Sequence, residues 1–300
     1  MILEELRGLL RCPETGDPLT GWDGASAAGE LSTASGRRYP VEDGIPNLLP
    51  DALRESPVPL PDGGQGEIAE KRSEIAARDA QVESYDGMIG LKMFTSVELP
   101  LTLSYLRPEP NDLMLEGGCG TGRMTAAFAE RVRGLVCVDF SRESIKVARK
   151  KLSPALLART LFLQADLSRL PLASESFDRV GSFGVYEHIP TPDARAGALE
   201  CLARATKPRT AGGRFAISAY RWGPPISWTA QKEGHHEPGH IYFVRKSMAE
   251  LKADLAPHFD IGGGTEALIY YHLLWGRKHP TPSPSLRPGS DFVGAKGGEE

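Results

Sequence analysis

Two stretches of this chain have residue types and spacings that could do chemistry. The first, "HHEPGH" at residues 235–240, holds His236, Glu237 and His240 in the order H-E-x-x-H. On a helix this spacing sets two imidazoles one turn apart beside a carboxylate, the arrangement that binds a catalytic zinc. Here Pro238 and Gly239 fall inside the pattern. A helix-interior proline costs about 3 kcal/mol and a glycine about 1 more, and a proline that opened a helix would leave His236 outside it. The segment therefore reads as a loop, its match to a metal motif as accidental, and no metal is expected.

The second stretch is "LEGGCGTGR", residues 115–123, with glycines at 118, 120 and 122. A dinucleotide fingerprint would need a glycine where Arg123 stands, and no G-K-[ST] ending makes it a P-loop. The surrounding sequence alternates. "DLMLEGG", "GLVCVDF", "TLFLQADL", "FDRVGSFGV" and "RFAISAY" read as strands, and "RMTAAFAERV", "SRESIKVARKKL" and "DARAGALECLARAT" as helices between them. Such alternation predicts a doubly wound, mostly parallel α/β sheet. "HFDIGGG" and "ALIYYHLLWGRK" follow with no helix-length gap and predict an antiparallel pair at its edge. Glu67 to about Ala80 favours helix. Open sheets of this kind bind ligands beyond the carboxyl ends of their strands, at the first strand-to-helix turn. That turn is the glycine stretch.

With Glu116 two residues ahead of Gly118, the turn resembles motif I of the class I S-adenosylmethionine-dependent methyltransferases (type 11-like). The likeness continues in Asp139 after the second strand, "LPLASESFDRV" after the third, "GSFGVYEHIP" after the fourth and "LARATKPRTAGGRFAIS" before the fifth. It spans about residues 82–278 and implies a Rossmann-like seven-stranded sheet, S-adenosylmethionine as cofactor and S-adenosylhomocysteine as product. By the same resemblance Gly118, Cys119, Gly120 and Gly122 approach the methionine part, with Glu116 near its charged end. Asp139 takes the ribose hydroxyls, Phe140 packs on adenine, Asp166 and Leu167 read the adenine edge, and Phe183 lies at the exit of the fourth strand. His188 faces the transfer point, either as a general base with a pKa near the working range or as a structural cap. Residues of about 221–240 form a lid over the acceptor, where His235, His236 and His240 contact substrate or serve structure. Tyr85 covers the cofactor and Tyr186 stands at the rim.

At the front, "LRCPETGDPL" and "ELSTASGRRYPVEDGIPNLLP" resemble the small zinc-ribbon-like domains of the Trm112-like family. Of four expected thiolates only Cys12 remains; Thr15, Ser32 and Ser35 stand at the others, and hydroxyls are poor zinc ligands. The resemblance implies a metal-free relic packed around Tyr39, Val41, Ile45 and Leu48, either an activator acting in cis or a packing module. The domain boundaries follow: 1–50 for this unit, 51–66 for a Pro- and Gly-rich linker, 67–278 for the methyltransferase domain with N-terminal lid helices, and 279–300 for a disordered tail.

The 300 residues carry a formal net charge of −4 and 40% hydrophobic residues, a globular composition with no general pull toward nucleic acid or anionic membrane. No apolar run is long enough to span a bilayer, and the acid-containing N-terminus does not read as a signal peptide. Four scattered cysteines fit a reducing cytoplasm. A small-molecule acceptor suits this chain best. The alternatives are an RNA base and a non-catalytic cofactor-binding partner subunit.

Overall fold

The computed structural model describes residues 2–54, 66–85, 87, 89–236, 241–267 and 269–280. Of the expected linker 51–66, residues 51–54 are helical rather than linker, while residues 55–65, the tail beyond 280 and His240 lie outside the described residues. The chain opens with helix α1 (Ile2–Arg7) and an antiparallel sheet of β1 (Gly29–Ser32), β2 (Arg38–Glu42) and β3 (Ile45–Pro46), then the short α2 (Asp51–Arg54). Two long helices follow, α3 (Glu67–Tyr85) and α4 (Ile89–Leu106). The alternating region gives β4 (Leu113–Gly117), α5 (Thr125–Ala129), β5 (Gly134–Asp139), α6 (Arg142–Lys150), α7 (Pro154–Leu157), β6 (Thr160–Gln164), β7 (Arg179–Phe183), α8 (Pro192–Ala205) and β8 (Arg214–Tyr220). A hairpin of β9 (Glu233–His236) and β10 (Ile241–Val244), helix α9 (Met248–Leu255), and strands β11 (Phe259–Ala267) and β12 (Tyr271–Lys278) complete the description.

The main sheet has seven strands in the order β11-β12-β8-β7-β4-β5-β6, with β4 to β8 parallel and the last two antiparallel. The strand order reverses beside β4, whose neighbours are β5 and β7. The central strands are near-continuous apolar runs because both faces are covered. Against one face lie Phe128 of α5 and Ile145 and Ala148 of α6. Against the other lie Leu199 and Leu202 of α8, and Leu251 and Leu255 of α9.

The N-terminal unit shares that second core. Leu6, Leu10, Trp22 and Tyr39 pack in one cluster with Val136, Leu161 and Leu163 of the main sheet. Between β6 and β7 the chain makes only a 3-10 turn, Leu167–Arg169, which leaves the β6 side of the face without a helix of its own. The N-terminal unit covers it: Arg11 N donates to Pro171 O at 2.9 Å, Ala173 N to Leu9 O at 2.8 Å, and Leu48 N to Gln164 O at 2.8 Å. Of the expected core, Tyr39, Val41 and Leu48 are buried in the cluster with Val136, whereas Ile45 is buried in the cluster with Phe128 and Ile145. Cys12 Sγ lies 2.9 Å from the Tyr39 hydroxyl, and no group of three or more metal-ligating side chains occurs among the described residues.

Two expectations need correction. The segment 221–240 is not all loop, because Glu233–His236 pairs antiparallel with β10; strand geometry also sends His235 and His236 to opposite faces. The helix expected over "RMTAAFAERV" is only five residues long, starting at Thr125 two residues after the expected start and capped at Glu130. No helix among the described residues is long and apolar enough to cross a membrane.

Candidate active site

The glycine turn leaves β4 with Gly118, Gly120 and Gly122 all at positive φ, which L side chains rarely adopt. At Gly118 a Cβ would come within 2.2 Å of Val185 Cγ2, so that position tolerates only glycine. A Cβ at Gly120 would meet no protein atom within 4 Å, since it would project into open space. That space is a cavity of about 1000 Å³ including its mouth, at the carboxyl ends of β4 and β5 where the strand order reverses. Gly118, Cys119, Gly120, Asp139, Phe140, Asp166, Leu167, Phe183 and His188 all line it. One compact site thus gathers most of the residues expected from sequence.

Asp139 organises the turn as well as facing the cavity. Its Oδ2 accepts from Gly120 N at 2.7 Å and its Oδ1 from Ser141 N at 2.9 Å. Burial raises its pKa, opposed by these two backbone donors. Asp166 caps its 3-10 turn through Ser168 N at 2.8 Å and accepts from Lys71 Nζ at 2.7 Å. Glu116 stands elsewhere than its motif position suggested. It does not line the cavity, being 4% exposed beneath the turn and accepting from the Thr125 hydroxyl at 2.7 Å. Burial pushes its carboxyl up to about 7. Gly122 serves packing: a Cβ there would sit 2.8 Å from that of Ala148 in α6.

Helix α3 forms the opposite wall, through Lys71, Glu74, Arg78, Gln81 and Val82. Lys71 Nζ also donates to Glu67 at 2.6 Å and Ser168 at 2.8 Å, so its three protons are all used. At the other end Ser141 Oγ donates to Asp79 at 2.6 Å. These two ties hold the helix across the cofactor side. Sequence reasoning expected a helix here but missed Lys71 and Asp79, whose partners lie 95 and 62 residues away. The side chain of Tyr85, at the end of α3, lies outside the described residues.

His188 ends a 3-10 turn after β7, and its Nδ1 lies 2.7 Å from Tyr242 O. A carbonyl only accepts, so Nδ1 carries the proton and Nε2 keeps its lone pair. Burial, with a smaller contribution from Arg78, moves its pKa well below the usual value, so the imidazole is neutral rather than poised near neutrality as expected. Tyr186 is turned away: it is buried and donates to Asp254 at 2.5 Å. His235 faces Glu70 at 3.7 Å, whereas His236 stacks on Phe243 at 4.3 Å and stands 6.4 Å from His188, ring to ring. Of the two described lid histidines, His236 is the one beside the site.

The comparisons agree with this geometry. Residues 114–209 match the family model for a methyltransferase domain. An O-methyltransferase of Pyrenophora dematioidea is 36% identical over 118 residues, 39% of this chain and 42% of that protein. The probable tRNA methyltransferase 9B of Homo sapiens is 30% identical over 129 residues, 43% of this chain and 24% of that one. The chain therefore spans less than half the length of either curated relative. Among solved structures, 1,6-didemethyltoxoflavin-N1-methyltransferase of Burkholderia thailandensis, with 1,6-didemethyltoxoflavin and S-adenosylhomocysteine bound, superposes at a TM-score of 0.55 and 19% identity, over 74% of this chain and 94% of that chain. The molecule has the Rossmann-like methyltransferase fold. Over residues 114–209 the chain is similar to methyltransferase domains.

Proposed function

We propose that the chain transfers a methyl group from S-adenosylmethionine to a small-molecule acceptor. The observation that carries this reading is one cavity lined at once by Gly118, Gly120, Asp139, Asp166 and His188 at the strand-order reversal. The cofactor fits the residues present: Gly120 leaves open the space that any Cβ would fill, and Asp139 and Asp166 each keep an acceptor site beside their structural bonds. Gly118 and Gly120 would hold the methionine part, Asp139 the ribose, Phe140 one adenine face, and Asp166 with Leu167 the adenine edge. When bound, S-adenosylmethionine supplies a methyl group already activated by its sulfonium.

The protein then aligns, shields and moves a proton. Positioning two reactants can supply about 7–11 kcal/mol of a barrier, and the α3 wall excludes water from the cofactor side. His188, neutral and with its Nδ1 anchored on Tyr242 O, accepts the proton through Nε2 as a weak base, which suffices because the acceptor's proton becomes strongly acidic as the methyl group arrives. The N-terminal unit is a Trm112-like relic that stabilises the methyltransferase domain in cis by covering β6, and no zinc is expected per purified chain by metal analysis. The four free thiols suit the cytoplasm.

Methyl-labelled S-adenosylmethionine incubated with the protein and a fractionated cell extract tests this reading. Label in the small-molecule pool supports it, label in RNA moves the acceptor to a nucleic-acid base, and tight S-adenosylhomocysteine binding without any transfer makes the chain a non-catalytic partner.

A further inference from the structure

Beside the cavity stands a polar group that the cofactor reading leaves unused. Glu187 is 0% exposed, and among the described residues neither carboxyl oxygen has a hydrogen-bond partner beyond its own backbone N–H. Buried polar atoms are bonded in roughly nine cases out of ten, and an exception calls for an explanation such as an absent ligand. Its position supplies one. A Cβ on Gly184, which lines the cavity, would lie 3.9 Å from Glu187 Oε1. His236 Nε2 is likewise buried without a partner.

The surroundings are flat and aromatic. Tyr220 meets His188 edge to face at 5.3 Å and His236 at 5.9 Å, and His236 stacks on Phe243. Arg245 lies over both rings, 4.3 Å from the centre of Phe243 and 5.6 Å from that of Tyr220. Rings so arranged prefer another planar ring in stacked or edge-to-face contact. Glu98, 0% exposed and bonded to Arg123 at 2.5 Å, is a further buried carboxyl in this part of the fold.

We infer that Glu187, His236, Tyr220 and Phe243 form an acceptor subsite for a planar aromatic molecule carrying a hydrogen-bond donor, a ring hydroxyl or amino group. The inference rests on the methyltransferase reading and narrows its acceptor class. Even protonated, the Glu187 carboxyl keeps a carbonyl oxygen that only accepts, and that oxygen lacks a donor from any other described residue. A site built to bond a hydroxyl or amino group rejects the analogue without one, because its own buried polar atoms then stay unpaired. The ring hydroxyl or amino group would bond Glu187 at the Gly184 wall, with the ring plane against Tyr220 and His236.

The experiment titrates protein saturated with S-adenosylhomocysteine with 1-naphthol, 1-naphthylamine and 1-methoxynaphthalene, reading naphthalene fluorescence. The two donors are expected to bind at least tenfold more tightly than the methyl ether. Glu187→Leu should abolish that preference, and the milder Glu187→Gln should cut it at least threefold, both with S-adenosylhomocysteine affinity unchanged. Equal affinity for all three probes, or an undiminished preference in both variants, overturns the role of Glu187. Failure of every naphthalene to bind while S-adenosylhomocysteine binds overturns the aromatic class. Failure of S-adenosylhomocysteine itself to bind counts against the underlying reading instead.

Discussion

The two halves of the site are built on opposite plans. On the cofactor side each acid is bonded before any ligand arrives: Asp139 to Gly120 N and Ser141 N, Asp166 to Ser168 and Lys71. On the acceptor side Glu187 and His236 hold buried polar atoms without partners from other described residues. The first half is pre-organised, so binding costs it little reordering. The second carries an unmet demand that a correct acceptor satisfies and an incorrect one leaves unpaired. The difference separates affinity, set by the finished half, from specificity, set by the unfinished one.

The sharpest way to test that contrast is through stability. Burial, opposed by its own backbone N–H and by Arg78 and Arg123 and helped by nearby Glu98, holds the Glu187 carboxyl protonated up to about 8, against an ordinary value of 4.5. Between those values the unfolded chain is ionised and the folded chain is not, so this group costs stability as pH rises from about 4.5 to about 8, by roughly 3–5 kcal/mol in all. Glu187→Gln should therefore melt above the parent at pH 8, with the gap closing toward pH 5. A pH-independent difference would show that Glu187 is ionised and paired in the folded state.

On the cofactor side the largest response should come from Gly118→Ala. It adds a Cβ against Val185 at a φ of +79°, and is expected to cost about 2–4 kcal/mol in urea unfolding together with most S-adenosylhomocysteine binding. Retention of both would mean the turn is not rigid. Asp139→Ala should weaken S-adenosylhomocysteine binding by about 1.5–3 kcal/mol, tenfold or more, in calorimetric titration. Unchanged affinity would remove the ribose assignment. Smallest is Tyr39→Phe in the N-terminal unit, which loses only the bond to Cys12. A loss of about 1 kcal/mol or less is expected, with cofactor affinity intact; weakened binding would tie that unit to the cavity.

Much of the cofactor half was legible in the sequence because its bonds are local or repeat a fixed spacing. The glycines must sit together to turn the chain, and Asp139 closes the next strand. Ser141 announces the helix that it caps by accepting from Ser144 N. Glu116 shows the limit of such reading. Its position in the motif is right, yet its direction is set by Thr125, whose hydroxyl holds the carboxyl below the floor. Tyr186 was misjudged for the same reason, since Asp254 draws its hydroxyl away.

By itself, then, the sequence determined the strand–helix alternation, the three positive-φ glycines and the acids that follow β5 and β6, all consequences of chain geometry over short spans. Only the tertiary structure decided the rest. It seated the N-terminal unit on the bare β6 face, because apolar surface there had no helix of its own. It bolted α3 across the cavity by Lys71 and Asp79. And it brought together the rings of His188 (next in chain to Glu187), Tyr220, His236 and Phe243, residues from four separate elements that no spacing links and that meet only because the sheet carries them to one end.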